Sequence, residues 1–435
     1  MLFPFSNFFR QPVTVDRIDR YAALNSHRLI VGVDVSETFQ TVSCSLAVFS
    51  GRGKYLKLKH SEAQVATIPD ELSKALRIQH VNPSGELPQL LAELADIQLA
   101  EVDRLKRHAG KYVDRLLVVS VTDPGIWHQD FDGQQSCTPA CDPVRLAERL
   151  GISVIDGFPL RDIAAGGSSH CLEALPLWLI FADRHARSAE CSSGLVVVGR
   201  SSKLYFFPAS DGLDDTIPEI ESTTLPGCRR LDEIMNAWNG KSTSTQSIAA
   251  IAASGRHQKE REPTLVGDSS PIVRQPIGGS NRRDLEKLAE LSRDVSFPDA
   301  VRTYVVGLAD RATDFLERHR PTSLSIGRVY VDGEPSLSAA LFHELFSRSQ
   351  RTGGEIDYQL PVDRAANEHS ISANVAAVLG AMFVDQMPGN IPGLSGANGQ
   401  RVLGRITPGC PASWRNLIVH MADSMAPTMK LKDAV

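Results

Sequence analysis

With 435 residues, of which 42% are hydrophobic and 22% charged, the chain has the composition of a globular protein with room for two domains. The formal net charge of -5 gives no reason to expect a nucleic-acid partner, and no apolar run reaches the roughly 18 residues of a membrane span. The seven scattered cysteines favour reduced thiols, so we expect a cytoplasmic protein without a membrane partner.

Strand-like and helix-like segments make up the first part of the chain. Residues 1–28 are interpreted as an N-terminal arm. The segments that follow are short apolar runs, typical of buried strands, and two longer stretches with helical periodicity. We predict strands at 29–35, 42–49, 54–60 and 115–121, and helices at 61–78 and 86–108.

A helix and a strand are predicted next. Asp142 precedes Pro143, which is typical of a capping residue followed by proline at the first helical position. Gly151 is predicted to end this helix. The apolar run ISVI at 152–155 is then predicted to form a short buried strand.

A carboxylate and a pair of glycines follow this strand. Arg161 and Asp162 come first, and Gly166 and Gly167 stand four residues further on. Many α/β enzymes present a general base beside a ligand in this way. Asp162 is therefore the predicted base.

The remaining elements alternate in the same manner. We predict helices at 172–184, 297–319, 336–346 and 370–386, a strand pair within 194–208, and a strand at 324–331. Residues 239–283 are rich in Ser, Thr, Gly and Pro and are interpreted as a mobile loop. The tail at 423–435 is expected to be disordered.

Several motifs resemble the anhydro-N-acetylmuramic acid kinase family: RDIAAGG at 161–167, Trp127 followed by His128, and the segments MPGNIPG and VLGRITPG within 387–409. The resemblance implies an α/β, two-lobed actin/hexokinase/sugar-kinase-like (ribonuclease H-like) fold with an interlobe cleft. Residues 29–150, completed by 370–422, would form the first lobe, and 151–369 the second.

The resemblance also implies an activity. Such kinases hydrolyse and phosphorylate 1,6-anhydro-N-acetylmuramic acid during cell-wall amino-sugar recycling, with ATP and Mg²⁺ as cofactors, and they often form homodimers. It implies catalytic roles for Asp162 and Arg161, and contacts to the amino sugar from Asp142, Gly166, Gly167 and His128. It implies nucleotide or phosphate contacts from Asp34, Thr38, Gly199, Asp232 and Gly333, with Asp34 also a Mg²⁺ ligand.

The chain departs from the family pattern mainly in the motifs that hold phosphate. The family turn MSGTSLDGVD aligns with residues 34–43, where the glycines are gone and Glu37 adds a negative charge. The family's SHGQ is replaced by residues 121–124. Lys203 and Thr223 replace an Asn and an Asp of two further motifs, and 168–173 (SSHCLE) replaces QGAPLV.

Two functions remain open. The first is a kinase of this family with weak or lost activity. The second is a non-catalytic homologue that binds a sugar-like ligand or a protein partner. A different chemistry at His170 and Cys171 is a minor third hypothesis.

Overall fold

The computed structural model describes residues 27–79, 85–129, 135–169, 171–182, 191–199, 201–208, 219–238, 248–266, 282–319, 325–351, 356–359 and 370–424. They fall into two compact units. The first unit takes its described residues from Met1–Ala165, His369–Gly389 and Gln400–Val435, and the second from Gly166–Glu368 and Asn390–Gly399.

The described residues form strands in both units. In chain order these are β1 (Arg28–Val35), β2 (Thr41–Ser50), β3 (Lys57–Thr67), β4 (Leu116–Thr122), β5 (Ile126–Gln129), β6 (Gln135–Thr138), β7 (Val154–Asp156), β8 (Cys191–Val198), β9 (Ser201–Phe207), β10 (Glu221–Pro226), β11 (Ser325–Gly333), β12 (Asp357–Gln359) and β13 (Arg405–Thr407).

Helices connect these strands. They are α1 (Asp70–Ile78), α2 (Leu87–Ala109), α3 (Pro143–Leu150), α4 (Phe158–Ala164), α5 (Ala174–Phe181), α6 (Cys228–Ala237), α7 (Ile248–Ser254), α8 (Glu262–Val266), α9 (Arg282–Leu291), α10 (Phe297–His319), α11 (Pro335–Arg351), α12 (Ser370–Val384), α13 (Pro392–Ser395) and α14 (Pro411–Ser424). Short 3-10 turns lie at Gly53–Tyr55, Gly110–Arg115 and Lys259–Arg261.

The first unit is built on a six-stranded sheet in the order β13-β7-β4-β1-β2-β3. Strands β1, β4 and β7 run parallel, whereas β2, β3 and β13 are antiparallel to their neighbours. The carboxyl ends of the three parallel strands therefore lie at one edge of the sheet. In open α/β sheets this edge is where ligands bind.

Helix α12 packs unusually close to this sheet. A Cβ atom on Gly32 of β1 would lie 1.9 Å from the carbonyl oxygen of Ala373. Gly380 meets Ser120 of β4 in the same way, and the Ser120 hydroxyl donates to the carbonyl oxygen of Ala376 at 2.5 Å. Gly32 is therefore explained by the packing of α12 on the sheet.

The second unit is built on a five-stranded sheet in the order β10-β9-β8-β11-β12. Strands β8, β11 and β12 are parallel, and β9 is antiparallel to both β8 and β10. Helix α10 closes one face, where the buried hydroxyl of Tyr304 donates to the carbonyl oxygen of Gly227 at 2.7 Å.

The predicted α/β class is confirmed, and most of the predicted strands and helices form close to their expected bounds. Residues 61–67 are a correction, because β3 continues to Thr67 and pairs with β2 along its length. Sheet pairing overrides the helical pattern here. The first unit also runs on to Ala165 rather than to 150, since β7 pairs with β4.

Part of the segment interpreted as a mobile loop is folded. Helices α7 and α8 lie within 239–283, and Ile251 and Leu265 are buried in the second unit. Residues 239–247 and 267–281 lie outside the described part, as do residues 1–26 of the expected arm and 425–435 of the tail. Residues 423 and 424 belong to α14, which the sequence did not predict. Within the described ranges, no helix combines the length and apolarity that crossing a membrane requires.

Candidate functional site

Three carboxylates mark the edge where the parallel strands of the first unit end. Asp34 is the next-to-last residue of β1, Asp123 follows β4 directly, and Asp156 is the last residue of β7. The register pairs Asp34 with Thr122 and Ser120 with Ile155, so adjacent strands bring the three to one edge. We call Asp34, Asp123 and Asp156 the carboxylate edge.

Asp34 and Asp156 accept hydrogen bonds from neighbouring side chains. The Thr122 hydroxyl donates to Oδ1 of Asp34 at 2.7 Å. Asp156 is fully buried and receives three hydrogen bonds from Arg405, from Nε to Oδ1 at 3.0 Å and to Oδ2 at 3.2 Å, and from Nη2 to Oδ2 at 2.8 Å. Arg405 lies directly opposite Asp156 on β13, so antiparallel pairing of the two strands sets this bidentate geometry.

Asp123 is held by backbone groups. Its Oδ1 accepts hydrogen bonds from the N–H groups of Gly125 at 2.8 Å and Ala140 at 2.7 Å. Burial raises the pKa of Asp123 to about 6, in spite of these two hydrogen bonds, which lower it. A positioned carboxyl group that titrates near neutral pH is suited to proton exchange with a ligand.

The predicted base, Asp162, lies on α4 and has no exposed surface. Its neighbour Arg161 is exposed, so the two adjacent side chains occupy different environments. Gly166 has φ of 83°, a backbone conformation that favours glycine, and Gly167 follows it. Both glycines belong to the second unit.

Asp142 performs the capping role predicted for it. Its side chain accepts a hydrogen bond from the N–H of Arg145 at 3.0 Å at the start of α3. Gly151 ends the helix in the left-handed conformation with φ of 68°. His128 lies on β5 opposite Ser136, and its side chain is outside the described part of the structure.

The turn between β1 and β2, residues 36–41, satisfies most of its own backbone. The Ser36 hydroxyl accepts from the N–H groups of Gln40 and Thr41, both at 3.0 Å. The N–H of Phe39 donates to the Ser36 carbonyl at 2.8 Å, and the N–H of Ser36 donates to the Thr41 carbonyl at 3.0 Å. Thr38 donates its hydroxyl to the side chain of Gln40.

This turn does not fit the phosphates of ATP. A phosphate-binding turn presents several backbone N–H groups to the anion, whereas four of those in 36–41 already have acceptors within the turn. Phe39 is buried with φ of 53°, and the carboxylate of Glu37 is exposed. Within the described ranges, no three His, Cys, Asp or Glu side chains are grouped to hold a metal ion, so the Mg²⁺ role expected for Asp34 has no support from geometry.

In the second unit, Gly199 and Gly333 lie together where β8 and β11 end. The Gly199 carbonyl accepts from the N–H of Cys228 at 2.8 Å. Gly333 has φ of 112°, and a Cβ there would lie 1.9 Å from the Val198 carbonyl oxygen. The close approach to Val198 explains Gly333 as a packing residue. Asp232, on α6, is exposed.

Glu334 occupies the start of α11, where the resemblance implies nucleotide binding. Its Oε2 accepts from the N–H of Leu337 at 2.8 Å and lies 3.9 Å from the Sγ of Cys228, the first residue of α6. A carboxylate at this position supplies the negative charge that a helix start favours and repels a phosphate. Burial raises the pKa of the Cys228 thiol to about 12.

The segment that departs from the family after Gly167 forms a polar cluster. Glu173 pairs with Lys203 and accepts from the Tyr205 hydroxyl at 2.7 Å. Burial would raise the pKa of Glu173, but the charge and hydrogen bond of Lys203 hold it at about 2. Burial raises the pKa of the Cys171 thiol, which lies 3.4 Å from the hydroxyl of Ser222. His170 lies outside the described residues.

Sequence reasoning missed Asp123, Asp156 with Arg405, and the capping role of Glu334. One signal was readable for the two aspartates, since each ends or directly follows an apolar run that forms a strand. No such signal exists for Arg405, because its partner is 249 residues away in the sequence.

No protein-family model matches the chain, but curated relatives do. The anhydro-N-acetylmuramic acid kinase of Ralstonia nicotianae is 26% identical over 326 residues, covering 72% of this chain and 80% of the relative. The enzyme of the same name from Chromobacterium violaceum is 26% identical and covers 79% and 90%. That of Nitrosomonas europaea is 23% identical and covers 87% and 99%.

Solved structures match more remotely. Component A of (R)-2-hydroxyglutaryl-CoA dehydratase from Acidaminococcus fermentans is 12% identical with a TM-score of 0.38, covering 81% of this chain and 99% of that one. A ROK family glucokinase from Streptomyces griseus, in complex with glucose and AMPPNP, is 14% identical with a TM-score of 0.34 and covers 81% and 98%.

The curated relatives match over most of their own length and share one name, in agreement with the motifs at 161–167 and 387–409. This similarity supports membership of the chain in the anhydro-N-acetylmuramic acid kinase family as a divergent member.

Proposed function

We propose that this protein binds an amino sugar of the 1,6-anhydro-N-acetylmuramic acid type and has weak or lost kinase activity. The observation that carries the proposal is the 36–41 turn, in which four of the six N–H groups are hydrogen-bonded within the turn itself. Phosphoryl transfer depends on groups positioned to hold and neutralise the phosphates. A turn that has already used most of its N–H donors offers an incoming phosphate little stabilisation.

The start of α11 supports the same reading. The carboxylate of Glu334 accepts the N–H of Leu337, which would otherwise be available to an anion at the start of this helix. Binding a triphosphate there would require displacing this carboxylate or placing like charges side by side. Both regions implied to hold ATP therefore carry internal acceptors or acids.

The sugar side of the site has the opposite character. The carboxylate edge and Asp162 place acidic groups beside the strand ends of the first unit. Carboxylates are good acceptors for the hydroxyl groups of sugars. We therefore propose that this edge recognises a small-molecule amino sugar, in a cytoplasmic protein.

Calorimetric titration tests the proposal directly. The purified full chain is titrated with 1,6-anhydro-N-acetylmuramic acid and, separately, with ATP and Mg²⁺. We expect saturable heat with the sugar and none with the nucleotide. The Chromobacterium violaceum relative, titrated under the same conditions, is the positive control for both ligands.

Two results would contradict the proposal. The first is saturable binding of ATP accompanied by a higher melting temperature, since a ligand that prefers the folded state raises it. The second is absence of sugar binding when the control binds, which would favour the alternative of a module that binds a protein partner.

A further inference from the structure

Asp123 differs from the other members of the carboxylate edge in how its two oxygens are used. Oδ1 accepts both backbone hydrogen bonds, from Gly125 and from Ala140. Among the described residues, no hydrogen-bond donor reaches Oδ2. The residue is half-buried, and the two bonds to Oδ1 fix the carboxyl group while Oδ2 has no donor among the described residues.

The neighbouring acidic residues differ from Asp123 in their hydrogen bonds and burial. Asp34 accepts the Thr122 hydroxyl, and Asp156 uses both oxygens on Arg405. Asp162 has no exposed surface. Asp123 is therefore the acid best placed to meet a ligand at this edge. It stands where the family motif SHGQ has glycine, so this carboxylate distinguishes the chain from that motif.

The charged groups around Asp123 come from three other elements. Burial is the main reason that the pKa of Asp123 rises to about 6; Asp156 of β7 adds to this and Arg405 of β13 opposes it. The thiol of Cys141, between β6 and α3, stays neutral because burial raises its pKa well above the usual value. Asp34 of β1 faces Thr122, the residue next to Asp123.

We propose that Asp123 accepts a hydroxyl group of the bound sugar at Oδ2 and exchanges a proton with solvent as the ligand binds. The ionised form accepts the hydroxyl hydrogen bond, so ligand binding favours that form and releases the proton of the neutral form. The identity of the ligand rests on the proposed function; the exchange of a proton at Asp123 does not.

The test of the ligand contact is the number of protons released on binding. 1,6-Anhydro-N-acetylmuramic acid is titrated calorimetrically at pH 6 in two buffers that differ in ionisation enthalpy. We expect the wild type to release up to about half a proton per sugar, since roughly half of the Asp123 side chains carry one at a pH equal to the pKa. Asp123→Asn should release none, while its amide oxygen can still accept from Gly125 and Ala140.

A measurement without ligand tests the proton exchange alone. Melting temperatures are recorded between pH 4.5 and 7.5 for the wild type, for Asp123→Asn and for the surface control Asp96→Asn. We expect the melting temperature of Asp123→Asn to rise relative to the wild type as the pH increases, because only the wild type must ionise a carboxyl group whose pKa is raised by folding. Asp96→Asn should follow the wild type.

The outcomes separate the two claims. Parallel profiles for wild type and Asp123→Asn would overturn proton exchange at Asp123. Equal proton release by both proteins, or proton uptake by the wild type, would overturn the hydroxyl contact while leaving sugar binding intact. If the wild type binds no sugar, the proposed function fails and the hydroxyl contact fails with it.

Discussion

The 36–41 turn and the carboxylate edge lie on the same sheet of the first unit, yet they use their polar groups in opposite ways. In the turn, the Ser36 hydroxyl and two carbonyls accept the N–H groups that an anion would need. At the edge, Oδ2 of Asp123 has no donor among the described residues. We infer that the turn has lost phosphate binding because the chain satisfies these donors itself, whereas Asp123 leaves one acceptor oxygen for a ligand.

Gly32→Ala should produce the largest effect and separates packing from phosphate binding. The added Cβ would meet the Ala373 carbonyl at 1.9 Å, which is backbone and cannot rotate away. We expect the free energy of unfolding to fall by about 3 kcal/mol or more, at the upper end for overpacking. Gly85→Ala, where a Cβ meets nothing within 4 Å, is the control. Near-equal stabilities in urea would contradict the packing role.

Lys203→Met tests the internal pairing of charge in the second unit. The pKa of Glu173 is about 2 in the folded protein against an ordinary 4.5, so the pair stabilises the fold above pH 4.5 and this stability is lost as the pH falls towards 2. We expect a loss of about 2 to 3 kcal/mol at pH 7. The fall in the free energy of unfolding between pH 4.5 and 2 should also become smaller in this variant.

Denaturant unfolding across that pH range checks this, with the exposed Lys287→Met as the matched control. If the free energy of unfolding of Lys203→Met falls between pH 4.5 and 2 as much as that of the wild type, other groups keep Glu173 ionised.

Arg405→Met asks whether the buried Asp156 depends on its partner. Losing the guanidinium leaves a buried carboxylate without a counter-charge, a change that costs several kcal/mol in a fully buried pair. The Arg405 side chain is 52% exposed, so solvent screening reduces our expectation to about 2 kcal/mol. The double variant Arg405→Met, Asp156→Asn should recover most of this. Simple additivity of the single losses would contradict the coupling.

Ser36→Ala should have the smallest effect, at about 1 kcal/mol, since the hydroxyl accepts two hydrogen bonds at a partly exposed position. Thr38→Ala, in the same turn, is the control because its hydroxyl contacts only the side chain of Gln40. Thermal unfolding measures both. If Ser36→Ala binds ATP, the Ser36 hydroxyl alone prevents nucleotide binding. That result would contradict the proposal that Glu334 also repels the phosphates.

The helices, the strands and the helix caps could be predicted from the sequence because they depend mainly on neighbouring residues in the chain. Helix α10 forms at its predicted bounds, and Asp142 and Gly151 cap α3 as their residue types indicate. Residues 61–67 were misread because pairing with β2 is a tertiary effect that periodicity does not contain. The helices inside 239–283 were missed for the same reason, since their apolar residues acquire partners only in the folded unit.

The candidate site was less predictable. The motif at 161–167 directed attention to Asp162, whereas exposure and hydrogen bonding favour Asp123. Whether a carboxylate is buried, paired or accessible depends on residues far away in the sequence, such as Arg405 for Asp156. Loss of the glycines in the 36–41 turn was readable, but the use of its N–H groups by Ser36 was not.

The most direct test of the central claim is sugar-dependent release of ADP. The full chain is incubated with ATP, Mg²⁺ and 1,6-anhydro-N-acetylmuramic acid beside the Chromobacterium violaceum relative. We predict that ADP release by this protein stays at the level without sugar, while the relative turns over. Sugar-dependent turnover on the order of 1 s⁻¹ or faster would contradict the account, because it requires a phosphate site that the 36–41 turn and Glu334 are inferred to have closed.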